Sequence, residues 1–260
     1  MKIFYTKKKG IKIAELWFAN GDWSNVSADF IILHCSVDVS NISDRYKTVQ
    51  HTLLTDLSLS EDELMAGIKS KTCKYEIRRN LNKDNVITKF YTSEELLENH
   101  QLLEDFKKCY EEMYRLKGMN KEISLDFLKK YAAKNALIMS VAYLENEPIV
   151  FHSYVCDDSN VRLLHSCSDF RNEEELASLI GRSNRRLHWD DWLYFKNNGF
   201  CEYDWGGVFD YESNNGIDQF KRSFGGKKHD YYNAYFPKSL KGKIVWKLRE
   251  IVKTVYNQTS

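Results

Sequence analysis

Lys221 stands between two paired glycines, Gly206-Gly207 ahead of it and Gly225-Gly226 behind, with Phe220 at its side. An ammonium in that setting can act as a point charge against negative charge developing on a substrate. An ordinary solvated surface lysine is the competing reading. Asp204 lies two residues before Gly206. A carboxylate there can orient an amine or accept its proton, or it can cap the following turn through backbone N–H groups. The glycine pair permits either close backbone approach to a ligand or a turn with positive φ. His152 and His165 fall in apolar runs and are read as hydrogen-bonded core residues, although either has the chemistry of a base. Trp189, Trp192 and Tyr194 are read as packing.

Positioning these groups requires a mixed α+β scaffold. Short β-branched or aromatic runs at Ile3–Tyr5, Ile11–Phe18, Phe30–Cys35 and Val49–Asp56 predict strands. Ser60-Glu-Asp-Glu63 is a capping box that opens a helix, followed by the basic stretch Lys69, Lys71, Lys74, Arg78 and Arg79. The apolar period over Ser93–Leu116 predicts one long helix, and Ser124 caps another through Tyr131. Ala136–Leu144, Ile149–Cys156 and Val161–Ser168 predict three strands joined by two polar turns. A helix over Leu179–Asn197, a strand at Phe200–Trp205, a short helix at Gly216–Phe224 and a strand at His229–Phe236 complete the order. A last helix from Ser239 carries Leu240, Ile244, Val245, Leu248, Ile251, Val252 and Val255 as an apolar stripe expected to dock on the domain. Strand-rich residues 1–90 and a core over 91–260 are the expected domains.

Composition narrows the classes of function. Lys+Arg 38 against Asp+Glu 37 leaves a formal charge of +1, which gives no reason to expect bulk nucleic-acid binding. The six cysteines are scattered, without a CxxC pair or histidine-rich neighbour, so neither a disulfide framework nor a metal site is expected. No secretory leader or membrane-length apolar run is evident, and a cytoplasmic protein is expected.

Gly199-Phe-Cys-Glu-Tyr-Asp-Trp-Gly-Gly207 followed by Gly216-Ile-Asp-Gln-Phe-Lys-Arg-Ser-Phe-Gly-Gly226 resembles the Fem-type aminoacyl and peptidyl transferases and their acyltransferase relatives from surface-polysaccharide loci. Asn184-Arg-Arg-Leu-His-Trp189 is similar to the family's crossover helix. The resemblance implies a GNAT-like fold: a mixed, mostly antiparallel sheet covered by helices, with a truncated second GNAT-like half at the N-terminus. It also implies an N-acyltransferase or aminoacyltransferase, with Lys221 and Asp204 as catalytic residues. In such folds two central strands splay around the donor, here Val161–Ser168 with Ser166, and Phe200–Trp205. Donor phosphates are expected at a helix N-terminus formed by Gly181, Arg182 and Ser183. Phe220 would flank the donor, and Tyr203, Gly206 and Gly207 would meet the acceptor. Lys74 and Arg78 are candidates for a diphosphate-bearing substrate. The donor is expected to be acyl-CoA, with aminoacyl-tRNA as the alternative and no metal. The acceptor would be an amine on a saccharide or peptide precursor of the cell envelope, free or lipid-linked, with peripheral contact at the inner membrane face through the last helix. A catalytically silent GNAT-like binding module is the rival from another class, and an RNA-binding protein a weaker third.

Overall fold

The computed structural model describes residues 1–19, 23–169 and 174–248. The chain forms two compact units, one from residues 1–50 with 230–260, the other from residues 51–229. This division replaces the expected boundary near residue 90. The first unit is assembled from both ends of the chain, so its sequence is not contiguous.

In the first unit, β1 (Lys2–Lys8) and β2 (Ile11–Trp17) form a hairpin around Lys9-Gly10, both at positive φ. β2 runs parallel to β3 (Phe30–Ser36), and β3 pairs antiparallel with β10 (Lys227–Pro237). Leu16, Ile31, Leu33 and Ala234 centre its core. Residues 240–248 are helical. Trp246 packs against Phe30, Tyr46 and Tyr235, while Leu240, Ile244 and Leu248 are 76%, 54% and 57% exposed. The expected docking stripe is thereby corrected: Trp246, half-buried Val245 and buried Gly242 face the unit, and the leucine–isoleucine row faces outward. Ile251, Val252 and Val255 lie outside the described residues.

The second unit is a sheet in the order β4 (Lys47–Asp56, from His51 on), β9 (Glu202–Val208), β8 (Val161–Ser168), β7 (Glu147–Cys156), β6 (Leu137–Leu144) and β5 (Val86–Tyr91). All pairings are antiparallel except β8 with β9. β5 was not expected; its Val-Ile-Thr-Lys-Phe-Tyr alternation is short and stands between two helical stretches.

Helix ends follow side-chain caps. Ser60 and Glu63 complete the capping box of α1 (Glu61–Gly67), and the Ser70 hydroxyl caps α2 (Lys71–Lys83). The single helix expected over 93–116 is two, α3 (Ser93–Glu98) and α4 (His100–Leu116). The break falls at Asn99, whose Oδ1 accepts the Leu102 N–H and restarts the helix. α5 (Leu125–Ala132) is capped by Ser124. α6 (Glu174–Asn197) begins earlier than its apolar period suggests, and Asn215 caps α7 (Gly216–Phe224).

Side-chain alternation on β7 sends neighbouring residues to opposite faces. Val150, His152 and Tyr154 meet α6, while Phe151 meets Phe106 of α4. The main core gathers around Trp192, Phe195, Tyr203, Trp205 and Phe224, each at most 1% exposed. Phe195→Ala leaves a cavity among Tyr154, Phe200 and Tyr203 and is expected to cost about 3–5 kcal/mol, read from chemical denaturation midpoints.

Candidate active site

β8 and β9 are paired at only two positions, Val161↔Tyr203 and Arg162↔Asp204. Beyond them the strands part, and a cleft of about 790 Å³ opens. Leu163 to Ser168 of β8 form one wall, and Gly206 and Gly207 of β9 another. Tyr110, Met113, Tyr114 and Lys117 come from α4, Asn184 and His188 from α6, and Phe220 and Lys221 from α7. The two expected splayed strands therefore do diverge. The β8 edge along the cleft makes no ladder to β9, so its backbone groups are available to a ligand.

The parting point is held by charge and by glycine. Asp204 is 4% exposed and accepts from Arg162 Nη1 at 2.5 Å, Thr52 Oγ1 at 2.5 Å and the Gly206 N–H at 2.9 Å. Its carboxylate is consumed by these partners and does not line the cleft. Gly206 has φ +72°, and a Cβ there would meet the Leu163 carbonyl oxygen at 2.6 Å. Only glycine fits that conformation and that approach.

Lys221 Nζ donates to the Gly207 carbonyl at 2.7 Å, which sets the ammonium in the lining of the cleft where the strands part. Burial, with Arg162 close by, pushes its pKa down to about 8. Phe220 lies beside it, with the Arg185 guanidinium 5.2 Å over its ring.

Behind the cleft wall is a buried polar chain. Tyr154 donates to Asp191 Oδ2 at 2.5 Å, Tyr154 and Tyr203 hydroxyls are 3.0 Å apart, and Tyr203 is 3.0 Å from His188 Nδ1. His152 Nδ1 also reaches Asp191 Oδ2 at 2.7 Å, and its ring stacks on His188 at 3.9 Å. His152, His188 and Asp191 are close enough to suggest a metal. The 2.7 Å contact is a hydrogen bond, however, and shorter than the separation of roughly 3.3 Å that two ligands about 2.0–2.1 Å from a tetrahedral zinc would keep. His165 also reaches the cleft, bonded to Ser153 Oγ at 3.0 Å; burial, then Lys121, pushes it down to about 4 and keeps it neutral.

The expected site residues thus divide. Lys221, Phe220, Gly206, Gly207 and Ser166 meet in the cleft. Tyr203 is fully buried behind it and touches His188 in place of a substrate. The expected phosphate cradle is corrected. Because α6 starts at Glu174, Gly181, Arg182 and Ser183 lie inside the helix, where N–H groups are already bonded. Arg182 pairs with Asp84 at 2.9 Å, and Ser183 Oγ donates to Leu179 O and accepts from Asn80. Lys74 and Arg78 sit on α2 outside the cleft lining, with Lys74 Nζ on Ala66 O. Sequence reading missed Asn184 and His188. Their four-residue spacing, followed by Asp191, puts three polar groups on the apolar face of α6.

No family model matches the chain, and no curated protein matches it by sequence. Solved structures do match. FemX aligns over 95% of this chain and 85% of its own, at 13% identity and a TM-score of 0.62. The chain is similar in fold to FemX. The C-terminal domain assigned to a lysylphosphatidylglycerol synthetase of Agrobacterium fabrum aligns over 94% and 83%, at 11% identity and TM-score 0.59. L-PGS of Bacillus licheniformis aligns over 95% and 84%, at 12% and 0.53. The expectation of a truncated N-terminal half finds no support in alignments of this extent.

The Lys221 pKa has a consequence for stability. Its folded value, about 8, lies below the ordinary 10.5, so between these the unfolded chain binds more protons and stability rises with pH. Lys221→Met is expected to remove that rise, measured as denaturation midpoints from pH 7 to pH 10.5.

Proposed function

We propose that the chain is an N-acyltransferase that moves an acyl group from a CoA thioester to an amine in the β8–β9 cleft. The observation carrying this reading is Lys221 Nζ fixed on Gly207 O at the mouth formed by two parted parallel strands. The open β8 edge offers N–H and C=O groups at strand spacing, which suits the amides of a pantetheine arm. One ammonium proton is used on Gly207, leaving two to meet an oxyanion. Asp204 acts as a positioning residue in this scheme, since it holds Arg162 and the Gly206 turn. The acceptor class, an amine on a cell-envelope saccharide or peptide, rests on the Fem-type resemblance.

A second reading, with an aminoacyl ester of tRNA as donor, is favoured by the fold shared with FemX and the lysylphosphatidylglycerol synthetase domain. Thermal shift separates the two, since a donor well above its Kd raises the melting temperature. Acetyl-CoA is expected to do so; a shift with aminoacyl-tRNA alone transfers the assignment to the second reading. Lys221→Ala is expected to lower turnover by about 10²–10³-fold while the protein remains folded. Unchanged turnover would remove Lys221 from the chemistry.

No helix among the described residues is long and apolar enough to cross a membrane. The exposed Leu240, Ile244 and Leu248, flanked by Lys241, Lys243 and Lys247, suit peripheral association with an anionic surface. Flotation with liposomes containing phosphatidylglycerol is expected to carry the protein upward, and less so after Ile244→Glu.

A further inference from the structure

The buried polar chain has a direction. A tyrosine hydroxyl has one proton, and Tyr154 gives its own to Asp191 Oδ2. Burial and the Asp191 charge raise the Tyr154 pKa well above 10, so this donor stays protonated. The 3.0 Å contact between the tyrosine hydroxyls therefore runs from Tyr203 to Tyr154. Tyr203 has then no second proton to offer, and its oxygen accepts from His188 Nδ1–H at 3.0 Å. The lone pair of the imidazole is thereby left on Nε2.

That nitrogen has no hydrogen-bond partner among the described residues, nor is it one of the buried unpartnered polar atoms. The ring itself lines the cleft, between Phe220 and Trp205. Nε2 is thus the nitrogen of His188 left unbonded, on a side chain only 2% exposed whose ring lines the cleft that also holds Lys221.

On the transferase reading above, we propose that His188 is the general base, taking the acceptor's proton on Nε2 while Asp191, through Tyr154 and Tyr203, holds its tautomer. The amine nitrogen forms a bond to the donor carbonyl carbon, and one N–H proton passes to His188 Nε2. The carbonyl carbon then loses its bond to the leaving sulfur, or to the ribose oxygen of a tRNA ester. The leaving group departs with that electron pair and collects the proton from His188. Products are the amide and the free thiol or hydroxyl, with no other reactant.

The surroundings fix the resting state of the ring. Burial, then His152, Lys221 and Arg185, hold His188 well below its ordinary pKa, so it rests neutral with the lone pair available. An imidazolium formed during the reaction finds the Asp191 carboxylate 3.8 Å from its Nδ1. His165, the other cleft histidine, is bonded to a serine, Ser153. The groups facing His188 are His152 from β7, Tyr203 from β9, Lys221 from α7, and Arg185 and Asp191 from its own helix.

Two measurements test this. Long-range proton–nitrogen NMR on ring-labelled protein, assigned by the signals lost in His188→Gln, is expected to show a protonated Nδ1 and a bare Nε2. Tyr203→Phe, which keeps the ring and removes the acceptor, is expected to abolish that preference. The second is transfer from acetyl-CoA, and in parallel from aminoacyl-tRNA, to glucosamine and to a lysine-containing peptide. His188→Gln is expected to lower kcat by at least ~100-fold while the donor-induced melting shift is retained. Tyr203→Phe is expected to lower kcat and alter its pH profile without changing KM.

A proton on Nε2 in the wild type overturns the proposal. So does transfer by His188→Gln within about threefold of wild type, which leaves the transferase reading standing. The absence of both a donor-induced shift and transfer in the wild type removes that reading, and the proposal falls with it.

Discussion

The Arg162–Asp204 pair sits on the last rung at which β8 and β9 remain joined. Everything that makes the cleft follows from that rung being fixed. A buried ion pair contributes little net stability beside an apolar pair of equal size, but removing one member leaves an unpaired buried charge at a cost of about 3–5 kcal/mol. Its value here is geometric. Asp204 ties Arg162 on β8 to Thr52 on β4 and to the Gly206 N–H, so three strands share one carboxylate. The turn at Gly206 then carries β9 past the Leu163 carbonyl without room for a side chain.

From that anchor the cleft acquires an uneven distribution of charge. Arg162 lies close enough to Lys221 to oppose its protonation, and Lys221 and Arg185 in turn oppose that of His188. Burial, helped by these cations, keeps the imidazole neutral, while the Asp191 carboxylate is set behind it at the end of two tyrosines. Positive charge at the mouth and negative charge at the back suit a reaction in which an oxyanion forms outside and a proton moves inward.

Much of this arrangement was legible in residue order. The strand–helix succession from residue 93 onward, the Gly206-Gly207 turn and the placement of Lys221 beside Phe220 all follow from local signals, because caps, glycines and apolar periods act over a few residues. Two kinds of feature were not. Asp204 and Tyr203 have motif neighbours that suggest ligand contact, yet their environment is set by Thr52, Arg162 and His188, far away in sequence. Gly181, Arg182 and Ser183 were misplaced because the apolar period locates the middle of α6 better than its start. His188 was passed over since a polar residue on an apolar helix face is informative only once its partners on β7 and β9 are known.

The discontinuous first unit bears on how the protein is made. β3 has residues 30–36, and its antiparallel partner β10 ends at residue 237. On the ribosome, β3 emerges ahead of residues 51–229 and waits for them before the strand that pairs with it appears. Residues 51–229 by contrast are complete before the part of β10 that pairs with β3 has emerged. Closing a connection of that length adds entropy slowly but delays the pairing. Until then the β3 edge is open to mispairing.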